Sequence, residues 1–229
     1  MIDHPDWRFD AILFDLDGTL IDTAPDMVAV LLSMQRDHGM QPLRYDLVRS
    51  QVSNGVAGLV RLAFPDADDV QAEILRQQYL DRYEDSVCVD STLFPELDDL
   101  LDKLDSGGHP WGVVTNKPAR MTGPLLASLG LRDRTACSIS GDTLAERKPH
   151  PAPLLLASRQ IDVAPRRCVY VGDASRDIEA GRAAGMFTIA VGYGYIPADE
   201  DPAVWGADIV AGDTRELAHY LLKGVTLAP

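Results

Sequence analysis

The run Ala11-Ile-Leu-Phe-Asp15-Leu-Asp17-Gly18-Thr19-Leu20 sets the reading of the whole chain. Apolar residues that stop at a carboxylate read as a buried strand ending where charge begins. Alternate residues along a strand share a face, so Asp15 and Asp17 can approach one point, and Gly18 lets the chain turn sharply after them. Further short apolar runs stand at Trp111-Gly-Val-Val-Thr115, Cys137-Ser-Ile-Ser140, Cys168-Val-Tyr-Val171 and Phe187-Thr-Ile-Ala-Val191, with a weaker one at Ala207-Asp-Ile-Val-Ala211. Helix-period segments lie between them. Leu97, Leu100, Leu101 and Leu104 repeat at three and four before Gly107 and Gly108; Met121, Leu125 and Leu129 line a second helix, in which Pro124 implies a kink or a late start. Residues 154–161 and 176–184 supply two more. Strands alternating with helices predict an α/β fold with a doubly wound, mainly parallel sheet covered on both faces.

Residues 23–91 break the alternation, with helical stripes and no strand pattern. Thr23-Ala-Pro25-Asp26 reads as a helix start, Thr23 capping and Asp26 following three residues on. Met27, Val30, Leu31 and Met34 share the next face, which Gly39 closes. Val56, Leu59, Val60 and Ala63 make a second stripe, and Leu75, Tyr79 and Tyr83 a third. The expected organisation is an α/β core from 1–21 and 92–229 with an all-helical insert at 22–91, directly after the first strand.

Composition bounds the function. The chain has 229 residues, with 35 Asp and Glu against 21 Lys and Arg, a formal net charge of −14. That balance disfavours a nucleic-acid partner, whose phosphates are neutralised by Lys and Arg, and disfavours an anionic membrane surface. No run approaches the ~18 apolar residues of a membrane span. Residues 1–10 lack the apolar stretch of a secretion signal. The cysteines Cys88, Cys137 and Cys168 are widely spaced and form no CxxC, which suits reduced thiols in the cytoplasm. The sequence leaves the oligomeric state open.

In open parallel sheets ligands bind beyond the carboxyl ends of the strands. The first strand is followed by Asp15-Leu-Asp17-Gly18-Thr19, the second by Thr115-Asn116-Lys117, and the fourth by Gly172-Asp173-Ala-Ser-Arg-Asp177. Lys148-Pro-His-Pro151 precedes the fourth. These clusters converge on one rim of the sheet and bring several carboxylates together with a lysine. Crowded carboxylates raise one another's pKa unless a cation neutralises them. Mg²⁺, which takes one or two carboxylates, waters and a substrate phosphate, fits that need. Thr115 and Lys148 would then hold the remaining phosphate oxygens with backbone N–H groups of the turns. A calcium loop is disfavoured, because counting from Asp15 places Leu20 and Asp26 where an EF-hand needs Gly and Glu. Gly192-Tyr-Gly194-Tyr195 is too short for a dinucleotide fingerprint and reads as a loop.

These residues resemble the haloacid dehalogenase superfamily of phosphatases over essentially the whole chain. Asp15-Leu-Asp17-Gly-Thr-Leu20 is similar to its first motif, Val113-Val-Thr115-Asn116 to its second, Lys148 to its third and Gly172-Asp173-Ala-Ser-Arg-Asp177 to its fourth; the insert resembles a C1-type cap. Val113-Val-Thr-Asn-Lys-Pro118, Lys148-Pro-His-Pro-Ala-Pro153 and Gly192-Tyr-Gly-Tyr195 are similar to the phosphoglycolate phosphatases. The 176–182 helix, with Tyr193-Gly-Tyr-Ile196 and Trp205-Gly-Ala-Asp208, resembles N-acetylmuramic acid 6-phosphate phosphatases.

The resemblance implies a Mg²⁺-dependent phosphomonoesterase acting on a small phosphorylated metabolite. Asp15 would be the nucleophile and Asp17 the acid and base. Asp15, Asp173 and the Asp17 carbonyl would hold the metal, supported by Asp177, and Thr115, Asn116 and Lys148 would bind the phosphoryl group. Arg49, Ser53, Asn54 and Gly55 are the candidate specificity residues of the cap. A sugar phosphomutase of the β-phosphoglucomutase type and a non-catalytic phosphate-binding module are the alternatives. A Schiff-base phosphonatase route is disfavoured, because no lysine stands between Met27 and Val89.

Overall fold

The computed structural model describes residues 8–225. Strand β1 (Ala11–Phe14) leads into a two-residue strand β2 (Ile21–Asp22) and the helices α1 (Ala24–Asp37), α2 (Tyr45–Arg49), α3 (Gly55–Ala63) and α4 (Asp69–Glu84). The chain returns through β3 (Thr92–Leu93), antiparallel to β2, with Ile21 opposite Leu93 and Asp22 opposite Thr92. There follow α5 (Leu97–Ser106), β4 (Trp111–Val114), α6 (Ala119–Ser128), β5 (Cys137–Ile139), α7 (Ala152–Gln160), β6 (Cys168–Gly172), α8 (Ser175–Ala183), β7 (Phe187–Val191), β8 (Ile209–Ala211) and α9 (Thr214–Gly224). The main sheet runs β5-β4-β1-β6-β7-β8, every pairing parallel. The fold is the expected doubly wound α/β architecture. The reading of residues 1–10 falls mostly outside the described residues.

Period-two alternation sorts the core. Ile12 and Phe14 pack with Leu97, Leu100, Leu104, Leu217 and Leu221 of α5 and α9 on one face, while Ala11 and Leu13 meet Leu154, Ala157 and Ala180 of α7 and α8 on the other. β1 lies at the centre with β4 and β6 as neighbours, and the chain crosses from β5 back past β1 to β6. That reversal is the switch point where α/β sheets open a crevice. The first cluster continues into the insert through Met27, Leu31, Leu59, Val60 and Tyr79, so helices and sheet share apolar packing.

The late start offered for the Pro124 helix and the capping role offered for Thr23 fail. α6 starts at Ala119, ahead of Pro124, so the proline does not delay it; Pro124 sits exposed inside the helix. Thr23 is the N-terminal flanking residue of α1 but makes no capping bond with its side chain. Its hydroxyl donates instead to Asp17 Oδ1 at 2.6 Å. Asp26 accepts from the backbone N–H groups of Val89 (3.0 Å), Asp90 (2.9 Å) and Ser91 (3.0 Å) and from the Ser91 hydroxyl (2.5 Å). These residues tie the two connections between sheet and insert to each other. A local capping pattern cannot show that tertiary use. The β2–β3 pair was also missed, because two residues carry no period.

Candidate active site

β1 delivers Asp15 to the rim and leaves it almost fully buried. Its Oδ1 accepts the Leu16 N–H at 2.8 Å and lies 2.8 Å from Lys148 Nζ. Lys148 is itself 2 % exposed, and its ammonium reaches Asp177 Oδ1 at 2.8 Å, the Val114 carbonyl at 2.9 Å and the Tyr170 hydroxyl at 2.7 Å. A buried cation of this kind is tolerated because carboxylates and hydrogen bonds surround it. The loop that carries it is pinned by one side chain. Asn116 Nδ2 donates to the Lys148 carbonyl (3.0 Å), and the Lys148 N–H donates to Asn116 Oδ1 (3.1 Å).

Asp173 follows β6, one residue before the cap of α8, and Asp177 lies in the first turn. Asp173 thus lies outside the helix and Asp177 inside it, yet the two converge. Ligand atoms of Asp15, Asp173 and Asp177 lie within 4.8 Å of one another, all buried. Asp173 Oδ2 accepts the Tyr195 N–H at 2.9 Å and the Ser53 hydroxyl at 2.7 Å, while its buried Oδ1 has no hydrogen-bond partner among the described residues. Burial, and then the charges of Asp15 and Asp177, push the Asp173 carboxyl up to about 7. Asp177 is raised as well, chiefly by burial and against the pull of Lys148. An orphaned carboxylate oxygen among hard oxygen donors is the donor set of a divalent cation such as Mg²⁺, so the residues present fit one. Gly194 and Gly18 close over Asp173: a Cβ on either would collide with its side chain, and Gly18 also has φ of +80°.

Asp17 stands half-buried at the mouth. Its Oδ1 takes the Thr23 hydroxyl and, at 2.9 Å, the Lys117 ammonium. Lys117 Nζ also donates to the Tyr83 hydroxyl of α4 at 2.9 Å, which joins this ion pair to the helical insert. The Thr115 hydroxyl accepts the Lys117 N–H at 3.1 Å. A cavity of about 100 Å³ is lined by Asp15, Asp17, Thr115, Asn116, Lys117 and Arg176 from the core and by Ser53, Gly55, Val56 and Tyr83 from the insert.

A model of the haloacid dehalogenase-like hydrolases matches residues 12–191. The chain belongs to that haloacid dehalogenase-like hydrolase family. N-acetylmuramic acid 6-phosphate phosphatase of Pseudomonas aeruginosa is 43% identical over 215 residues, covering 93% of this chain and 95% of the relative. Phosphoglycolate phosphatase of Xanthomonas campestris pv. campestris is 44% identical over 207 residues, covering 90% and 94%. The crystal structure of a predicted phosphoglycolate phosphatase from Haemophilus somnus superposes with a TM-score of 0.83 at 28% identity, over 93% of this chain and 98% of that one.

Within this hydrolase fold, Asp15, Asp17, Thr115, Asn116, Ser53 and Gly55 line the inner cavity, and Asn54 lines the space outside it. Lys148, Asp173 and Asp177 line neither space but gather about Asp15. Arg49 lines neither space; its guanidinium stacks over the Tyr195 ring, 4.8 Å from the centroid. Lys117, Tyr83, Arg176, Gly194 and Tyr195 were not singled out as site residues. Lys117 and Arg176 stood inside the quoted motifs, and Gly194 and Tyr195 follow β7, so the strand-end rule could have found four of the five. Tyr83 reads only as core, because its hydroxyl meets Lys117 through tertiary packing.

Proposed function

We propose that this hydrolase is a Mg²⁺-dependent phosphomonoesterase of the cytoplasm, acting on N-acetylmuramic acid 6-phosphate or 2-phosphoglycolate. The observation that carries the reading is the division of labour at Asp15. Leu16 N–H and Lys148 both hold Oδ1, and Oδ2 takes no hydrogen bond from any described residue. That free oxygen suits in-line attack on phosphorus, forming an O–P bond as the ester P–O bond breaks. Asp17, two residues on, protonates the departing alkoxide and then takes a proton from the water that attacks phosphorus, releasing phosphate and restoring Asp15. Acid–base help of this kind is worth roughly 10²–10⁴-fold. Lys148 lies against Asp15, so it neutralises charge there, and Thr115 with the adjacent backbone N–H groups orients the phosphoryl oxygens. Asn116 serves by fixing the Lys148 loop. Asp15, Asp173 and the Asp17 carbonyl would hold Mg²⁺, with Asp177 behind them, and the bound ion would polarise the phosphoryl group. Residues 22–91 act as the cap that closes over this site.

Phosphate release from a panel of metabolite phosphomonoesters, with p-nitrophenyl phosphate as a generic member, tests the reading. Turnover of p-nitrophenyl phosphate and of one named acid is expected. No release from any ester, or formation of an isomer without free phosphate, overturns it.

A further inference from the structure

The inner cavity, about 100 Å³, is much the smaller of two adjoining spaces. A substrate whose phosphoryl group sits at Asp15 extends into the outer space of about 630 Å³, which shares Ser53, Gly55, Val56, Asn116, Pro118 and Arg176 with the inner one. In a chain of net charge −14, this outer space is lined by Arg76, Arg147 and Arg176 against the one acid Glu73. Arg76 is already engaged, its Nε and Nη2 on the Glu73 carboxylate at 2.8 and 2.6 Å. The side chains of Arg147 and Arg176 make no hydrogen bond or ion pair with any described residue.

Arg176 is the informative one. It is half-buried in the first turn of α8, lies between Asp173 and Asp177 in sequence, and lines both spaces. Asp177, Asp15 and Asp173 act on it through their charges, yet none pairs with it. A cation placed only to neutralise that cluster would touch it, as Lys148 does at 2.8 Å from both Asp15 and Asp177. A half-buried guanidinium with unused donors is costly, and its planar fork matches a carboxylate through two parallel hydrogen bonds.

We infer that Arg176, assisted by Arg147, binds a carboxylate of the substrate, so that the enzyme selects phosphorylated acids over the corresponding neutral phosphomonoesters. This rests on the phosphomonoesterase reading and adds the residue that sets the substrate class.

Matched pairs test it in the Mg²⁺-loaded enzyme: N-acetylmuramic acid 6-phosphate against N-acetylglucosamine 6-phosphate, and 2-phosphoglycolate against 2-hydroxyethyl phosphate. The first pair differs by the lactyl ether that carries the carboxylate, the second by a carboxylate in place of a hydroxymethyl group, and both keep the ester. A sugar bisphosphate against its monophosphate separates carboxylate recognition from general anion recognition. Wild type is expected to favour the acid of at least one pair by about tenfold or more in kcat/KM, with no such preference for the bisphosphate. Arg176→Gln collapses that ratio by about tenfold, chiefly through KM of the acid, Arg176→Lys restores part of it, and Arg147→Gln lowers it less. A purely structural role would lower both members alike and leave the ratio unchanged. Ratios near one in wild type, a preference confined to the bisphosphate, or ratios unmoved by the arginine variants overturn the proposal. Should Arg176→Gln not fold, Arg176→Lys and Arg147→Gln decide. Failure of every ester, p-nitrophenyl phosphate included, would instead sink the phosphomonoesterase reading beneath it.

Discussion

Asp15 and Asp173 lie side by side under opposite constraints. Asp15 has a buried ammonium 2.8 Å away, whereas Asp173 has only N–H and O–H donors on one oxygen and none on the other. Replacing Asp15 by Asn keeps size and shape and removes the proposed nucleophile. Turnover should fall below about a thousandth of wild type while thermal unfolding and circular dichroism show an intact fold. Retention of substantial turnover would remove the covalent route. Asp173 leads to a pH prediction. Its carboxyl rises from 3.8 to about 7 on folding. The native state therefore holds a proton that the unfolded chain releases, and the stability from this group is complete below the unfolded pKa and lost as pH rises through about 7. A divalent ion needs the ionised form, so Mg²⁺ should raise Tm more at about pH 8 than at about pH 5.5, and should release protons when it binds near pH 6. Equal Tm shifts at both pH values would contradict this.

At the scale of elements, the sheet was legible because buried parallel strands are short apolar runs and the flanking helices keep their period. All six runs quoted from the sequence became strands of the sheet, in the order that puts the polar clusters on one rim. The seam between sheet and insert was not legible. Asp26 and Thr23 look like capping residues locally, and only the return of residues 89–91 to Asp26 reveals the clasp. Asp26→Ala would leave three buried or partly buried N–H groups and the Ser91 hydroxyl without their acceptor. A loss of about 2–4 kcal/mol is expected from denaturant midpoints at unchanged m-value. A change below about 0.5 kcal/mol, the scale of an ordinary surface substitution, would show that the clasp is incidental.

Over the whole molecule, insert and sheet close on the same cavity. The Ser53 hydroxyl bonds Asp173, the Tyr83 hydroxyl takes Lys117, and the Tyr195 hydroxyl accepts the Ala24 N–H at 2.8 Å while donating to Asp22 at 2.6 Å. Sequence motifs located the acidic cluster at the rim because strand ends and carboxylates are local signals. They could not say that Ser53 faces the acidic cluster while Arg49 turns to Tyr195, since the fold of the insert decides that. Nor could they show that arginines gather outside the cavity of an otherwise acidic chain. No helix among the described residues is long and apolar enough to cross a membrane. The carboxylates at the rim, gathered around Lys148, make sense together as the seat of a divalent ion and a phosphoryl group. Phosphate release from p-nitrophenyl phosphate should therefore stop when the purified enzyme is stripped with EDTA and return on titration with Mg²⁺, with no recovery in Asp15→Asn at any concentration. Undiminished release by the stripped wild type would contradict it.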